Sequence, residues 1–154
     1  MFDAPHLIKA LRNMLIKYNF ILNNNTISWK YILQFYNLDK GYSVRAAPKL
    51  TDSHIFPSNF EKMKVKYATQ VFSATVEAAL NVYIRFEAIP SEAKATCEFI
   101  GQIDKLFDIL NSSTVMGRKK FNLAFKGLDF QHNFFNDCLN LFQNLKVVNK
   151  EGIT

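Results

Sequence analysis

SNFEKMKVKYATQVFSATVEAALNVYIR, residues 58–85, carries the longest unbroken helical spacing in the chain, and its reading decides the fold class. Phe60, Met63, Tyr67, Val71, Ala74, Ala78 and Val82 recur at three- and four-residue intervals and make one apolar stripe, and Val65, Ala68, Phe72, Val76 and Tyr83 make a second. A helix that is apolar on two faces has neighbours on both sides. The spacing therefore predicts one long central helix here, capped by Ser58 or Asn59.

Moving towards the N-terminus, residues 39–57 lose all periodicity and are punctuated by Gly41, Pro48 and Pro57. A connection of that length inside a compact domain is usually functional, so it is a candidate site. Before it, Trp29, Ile32, Leu33 and Tyr36 mark a shorter helix that Thr26 or Ser28 can cap. Asn23-Asn24-Asn25 separates it from a first helix at about residues 5–18, where Pro5 suits the first turn and Leu7, Leu11, Met14, Leu15 and Tyr18 share a face. Towards the C-terminus, Pro90-Ser91-Glu92 opens a helix with Phe99, Ile103, Leu106, Phe107 and Leu110 buried and Asn111-Ser112-Ser113 as its terminator. A basic loop through Gly117-Arg118-Lys119-Lys120 follows, and Asp129 can cap a last helix through Phe130, Phe134, Cys138, Leu141 and Leu145. No segment alternates with a period of two. The expectation is a mainly α fold of about five helices.

With 154 residues the chain has room for one core, and its 49% hydrophobic content and fifteen phenylalanines can fill it. No run of 18 uncharged apolar residues exists, and Asp3, Lys9, Arg12 and Lys17 interrupt the first twenty residues, so neither a membrane span nor a signal peptide is expected and a soluble, intracellular protein is. Cys97 and Cys138 stand apart in helical apolar stretches and read as small buried hydrophobes in a reducing compartment. A net charge of +6 suits an anionic partner such as nucleic acid or nucleotide, and equally an ordinary lysine-rich surface.

Motifs that would define a chemistry are missing: there is no GxxxxGK[ST], GxGxxG, NKxD, GxSxG or HExxH. His6, His54 and His132 share no metal-ligand spacing. Asp104 and Asp108, four residues apart on one helix, either face a cation or base edge or belong to a solvated face beside Lys105. Asp3, lying just before a helix, can be an N-terminal cap that interacts favourably with the helix dipole.

Taken in order, four blocks resemble the transposases of the P-element and THAP-domain group: FDAPHLIKALRNML from residue 2, WKYI at 29–32, APKLTDSHIFPSNFEKMKVKYATQVFS at 47–73, and FIGQIDKLFDILNS at 99–112. In that family an RNase H-like core holds three metal-binding carboxylates for DNA cleavage and joining, and a helical GTP-binding domain interrupts it between the second and the third. The resemblance implies that residues 1–20 are a fragment of that catalytic core and that 21–150 are the helical GTP-binding insertion domain. Asp3, in the D-x-P-H-L-x-K position, would be the second carboxylate and a metal ligand. The first would lie upstream of Met1, so a fragment or a decayed copy is expected.

The same resemblance implies GTP and Mg²⁺ as cofactors and transposon DNA and other transposase subunits, as a homo-oligomer, as partners in the nucleus. Matches to the family's nucleotide pocket are Lys49 as a cation for phosphate, Val65 as an apolar wall for the purine, Ser73 as a hydroxyl hydrogen bond, and Asp108 as a carboxylate for Mg²⁺ or a ring N–H. Against these stand the plainer readings of Lys49 as solvated and of Val65 and Ser73 as packing. The family's third carboxylate sits in a Q-D-x-L-E-N block, whose Q-D pair also helps to recognise guanine, and this chain lacks it, as it lacks the zinc-coordinating THAP finger. One aspartate cannot hold the two metals of phosphoryl transfer. The isolated chain is thus expected to be catalytically inert and to bind or discriminate GTP less well than an intact relative. A different class of function is also open: a helical protein-interaction or DNA-backbone-contacting module without nucleotide, whose basic residues Arg118, Lys119 and Lys120 touch phosphates.

Overall fold

The computed structural model describes residues 4–119, 136 and 139–150. Six α-helices and a small three-stranded sheet lie among them: α1 (Ala4–Lys17), β1 (Asn19–Leu22), β2 (Asn25–Ile27), α2 (Trp29–Asp39), α3 (Asp52–Ile55), α4 (Val65–Val71), α5 (Ala74–Arg85), α6 (Lys94–Lys119) and β3 (Lys146–Val148). The mainly α expectation holds. Asp3, Lys120, Asp129, His132 and Cys138 lie outside the described residues; of the expected last helix 136 and 139–145 are described, helical at 136 and 139–144 but not at Leu145, which leads into β3.

The sheet is a departure from the sequence reading. Asn23 and Asn24 do more than end a helix: both take positive φ, 52° and 66°, which is the two-residue hairpin turn whose twist matches its flanking strands. β1 pairs antiparallel with β2 on one side and with β3 on the other, giving the order β2-β1-β3. Strands of four and three residues are too short to declare a period of two, and β3 arrives from the far end of the chain.

The long helix expected over 58–85 is also corrected. It is three pieces: a 3₁₀ turn at Glu61–Met63, then α4, then α5. Ser73 makes the second break. Its backbone is extended (φ −134°, ψ 156°), its Oγ accepts from Val76 N–H at 3.2 Å, and its own proton goes to the Gln70 carbonyl at 3.0 Å. A serine that satisfies both the end of one helix and the start of the next competes well against continuation. Ser58 and Glu61 bond reciprocally at the start of the 3₁₀ turn, and the first break falls at Lys64, whose backbone is extended (φ −89°, ψ 117°) and carries no side-chain cap. The breaks dissolve the first stripe: Phe60 is 70% and Met63 71% exposed, while Ala68, Val71, Phe72, Val76 and Leu80 are buried.

Three smaller expectations change. Ser28, not Thr26, caps α2, accepting from Lys30 N–H at 3.3 Å, while Thr26 belongs to β2. Pro90 leads into a 3₁₀ turn at Ser91–Ala93 before α6 begins. Asn111-Ser112-Ser113 does not end α6, whose backbone runs on to Lys119, so the basic run at 117–119 is helical and not a loop. Three residues, each a fraction of a kcal/mol poorer than alanine, do not stop a helix already anchored by Phe99, Ile103 and Leu106.

One core holds these elements together. Phe99 of α6 sits edge-on to both Phe20 of β1 and Phe72, with ring centroids 5.6 and 6.1 Å away, and so joins the sheet to the α4–α5 junction. Cys97 is buried as expected, gives its thiol proton to the Glu77 carbonyl at 3.1 Å, and has its pKa pushed up to about 11 by burial. That thiol is inert. From α1, the buried Arg12 donates to Lys62 O at 2.8 Å and Lys9 to Met63 O at 3.2 Å, which ties the 3₁₀ turn to the first helix.

Candidate functional site

Lys49 and Ser73 line one cavity of about 320 Å³, together with Ala47, Pro48, Leu50, Thr69, Gln70, Thr75 and Val76. One wall is the turn at 47–50, closed by Leu50 N–H donating to Ala47 O at 3.2 Å. The other is the junction where α4 ends and α5 begins. The irregular segment singled out in the sequence thus does contribute to a concave site, although it carries a short helix of its own, α3, over 52–55.

The turn is held from beneath by Asp39, which the sequence reading passed over. Its carboxylate is 1% exposed. Oδ1 accepts from Ala46 N–H at 2.8 Å and from the Tyr83 hydroxyl at 3.0 Å, and Oδ2 accepts from Ala47 N–H at 3.0 Å. Arg45 stands 3.6 Å from Oδ2 and itself donates to the carbonyls of Ala47 (3.2 Å) and Leu50 (2.8 Å). Burial and then the Asp39 hydrogen bond push the Tyr83 hydroxyl up to about 12. A buried aspartate needs such a set of donors. Its position at the last turn of α2, directly before an aperiodic segment, is the only trace of this role in the sequence.

Behind the α4 wall lies His54. Thr51 N–H donates to its Nδ1 at 3.0 Å, so that nitrogen carries no proton, and Nε2 carries one and donates to Gln70 Oε1 at 2.5 Å. Burial pulls the imidazole below its usual pKa and favours this neutral form. The Tyr67 ring stands edge-on at 4.8 Å.

The remaining sequence candidates lie elsewhere. Val65 is the first residue of α4, partly buried against the core, and is not among the residues lining the cavity. Asp108 is exposed on α6 and is likewise not on the cavity wall. It acts on its neighbour Asp104, whose pKa is raised by burial first and then by Asp108 and Glu77. Among the described residues no group of three His, Cys, Asp or Glu side chains could hold a metal ion. No described helix is long and apolar enough to cross a membrane.

The chemistry of the cavity suits an anion. Lys49 brings a positive charge, and the N-terminus of α5, a helix of twelve residues, brings its first amides and the positive end of its dipole. None of the lining residues is acidic. A volume near 320 Å³ is at the lower end of small-molecule sites, about 300–1,000 Å³, with room for part of a nucleotide.

The family model described as "TNP-like, GTP-binding insertion domain" matches residues 5–124. The chain belongs to this family. The insertion domain is 30% identical over 110 residues to the Transposable element P transposase of Drosophila melanogaster, covering 71% of this chain and 15% of that protein. It is 28% identical over 124 residues to the human DNA transposase THAP9, covering 76% of this chain and 13% of that protein. Among solved structures, it is similar to the Drosophila P element transposase strand transfer complex at a TM-score of 0.73 and 25% identity, covering 99% of this chain and 33% of the other. The chain therefore spans about a seventh of the curated relatives it matches.

Proposed function

We propose that this chain is the GTP-binding insertion domain of a P-element-like DNA transposase, or of a domesticated THAP-domain relative, and that it supports nucleotide-dependent assembly with other transposase subunits on transposon DNA in the nucleus. The observation that carries the reading is the meeting of Lys49 with the Ser73-capped start of α5 around one anion-suited cavity, in a domain whose family is named for GTP. Lys49 holds phosphate. Ser73 has spent its proton on Gln70 O, so it can only accept from a ligand, as from a ribose hydroxyl. Val65 and Asp108, outside the cavity wall, contact the nucleoside and the Mg²⁺ that accompanies a triphosphate, an ion that needs only one or two protein carboxylates.

Residues 1–20 are the start of the RNase H-like core and 21–150 the insertion domain. Asp3 is a metal ligand of the parent core, which performs the strand chemistry, and the isolated chain has no catalytic activity. Its partners are transposon DNA and further copies of the transposase.

Calorimetric titration with GTP and with ATP in Mg²⁺, on the unmodified chain and on folded Lys49→Ala and Asp108→Ala variants, tests the nucleotide reading. Saturable GTP binding is expected, weakened about tenfold by loss of the Lys49 charge-assisted contact. Absence of binding at millimolar GTP refutes it.

A further inference from the structure

Hydrogen bonding within the cavity wall leaves few donors for a phosphate. Thr69 spends its hydroxyl proton on Lys66 O at 3.0 Å, and Ser73 spends its own on Gln70 O. What remains is the Lys49 ammonium, the Thr75 hydroxyl, the amides of Ala74 and Thr75 at the start of α5, and the side-chain amide of Gln70. An amide offers a carbonyl at one end and an amino group at the other, and which end faces a ligand has to be fixed. Here His54 fixes it. With Nδ1 accepting from Thr51 N–H, the ring must donate from Nε2, only the carbonyl oxygen of Gln70 can receive that proton, and the amino end is left over. The hydrogen bonds that Gln70 makes to His54 and Ser73 engage its side-chain oxygen and its backbone carbonyl and leave that amino group out of both.

We propose that Gln70 is a phosphate-contacting residue of this cavity, and that His54 is the positioning residue that turns the amino end of Gln70 towards the ligand. The proposal rests on the nucleotide reading above and assigns the cavity to the polyphosphate end of the nucleotide, not to its base. A neutral, oriented donor beside Lys49 adds directional hydrogen bonds to a charge that lacks them. Reversal of the amide would point a carbonyl at a phosphate oxygen, so the histidine contributes by excluding the wrong orientation.

The test compares GTP with inorganic tripolyphosphate, titrated into the full chain and into Gln70→Met, His54→Phe and the double variant, each checked for unchanged helicity and cooperative melting. Methionine keeps the length of glutamine without its donors. Gln70→Met is expected to weaken both ligands by the same factor, about tenfold, because a hydrogen bond to a charged oxygen is lost. His54→Phe is expected to weaken them several-fold in the native background and to have no further effect once Gln70 is methionine. Loss for GTP with tripolyphosphate unchanged would place Gln70 at the base or sugar and overturn the proposal. Undiminished binding of both ligands would overturn it while leaving the nucleotide reading intact. Additive effects in the double variant would overturn the positioning role. Failure of the unmodified chain to bind either ligand would overturn the nucleotide reading, and this proposal with it.

Discussion

Replacement of Asp39 by asparagine changes one atom and is expected to loosen the wall of the candidate site without touching the cavity. The carboxylate, 1% exposed, accepts three hydrogen bonds and stands beside Arg45. The best fit for asparagine keeps its oxygen at Oδ1, where Ala46 N–H and the Tyr83 hydroxyl both point. Its amino group then faces Ala47 N–H and Arg45, donor against donor. One charge-assisted bond is lost, worth about 1.5–3 kcal/mol, and a buried amide is left without a partner. The expected loss is about 2–4 kcal/mol for Asp39→Asn and about 3–5 kcal/mol for Asp39→Ala, which also strips the partner from Arg45. Urea unfolding followed by circular dichroism measures the total, and amide hydrogen exchange at Ala46, Ala47 and Leu50 shows whether the turn opens alone. An Asp39→Asn protein within about 0.5 kcal/mol of the native chain, with those amides equally protected, would refute the account of the turn as hung from this carboxylate.

Two further predictions concern the α4 wall. Ser73→Ala should lower stability by about 1 kcal/mol in thermal unfolding, and Ser73→Thr, which keeps the cap, should restore most of it; equal stability of all three would mean that the break between α4 and α5 does not depend on the serine. Because burial holds the His54 pKa below its usual value, the unfolded chain takes up this proton more readily than the folded one. His54 therefore favours the folded state above pH ~6.5, and that advantage drains as pH falls through the region below it. Urea midpoints measured from about pH 7 to pH 5 should fall more for the native chain than for His54→Asn, whose carbonyl can still accept from Thr51 N–H; parallel curves would contradict this.

Local chemistry was legible where it is local. Ser28 before an apolar helical run predicts a cap and makes one. Pro5 before Leu7 and Leu11 predicts α1. The loss of periodicity after Asp39 marks a segment that forms part of the cavity, and two of the residues matched by family resemblance, Lys49 and Ser73, face that cavity from opposite walls. What escaped depends on distance along the chain. β3 pairs with a strand more than a hundred residues away, and nothing in Lys146-Val147-Val148 announces its partner. Asp39 gains its meaning from Tyr83 and Arg45, and Gln70 from His54, pairings that no periodicity encodes. The break at Ser73 was hidden for another reason: both stripes pass through it in phase, and only the choice between a hydroxyl's two local bonds and one more helical turn decides the matter.

The pairing of Asn19 with Val148 puts two distant points of the backbone about 5 Å apart. Everything between them is one large loop tied at its neck. A unit tied in this way can sit within a single surface loop of a host protein and leave the host's flanking strands or helices where they were. It also gives the neck a mechanical meaning. Tension applied at Asn19 and Val148 loads the few ladder hydrogen bonds between β1 and β3 together with the packing of Phe20 on Phe99. The clasp that ties this neck is six residues, three from each strand, so its opening is a local event set by very few hydrogen bonds.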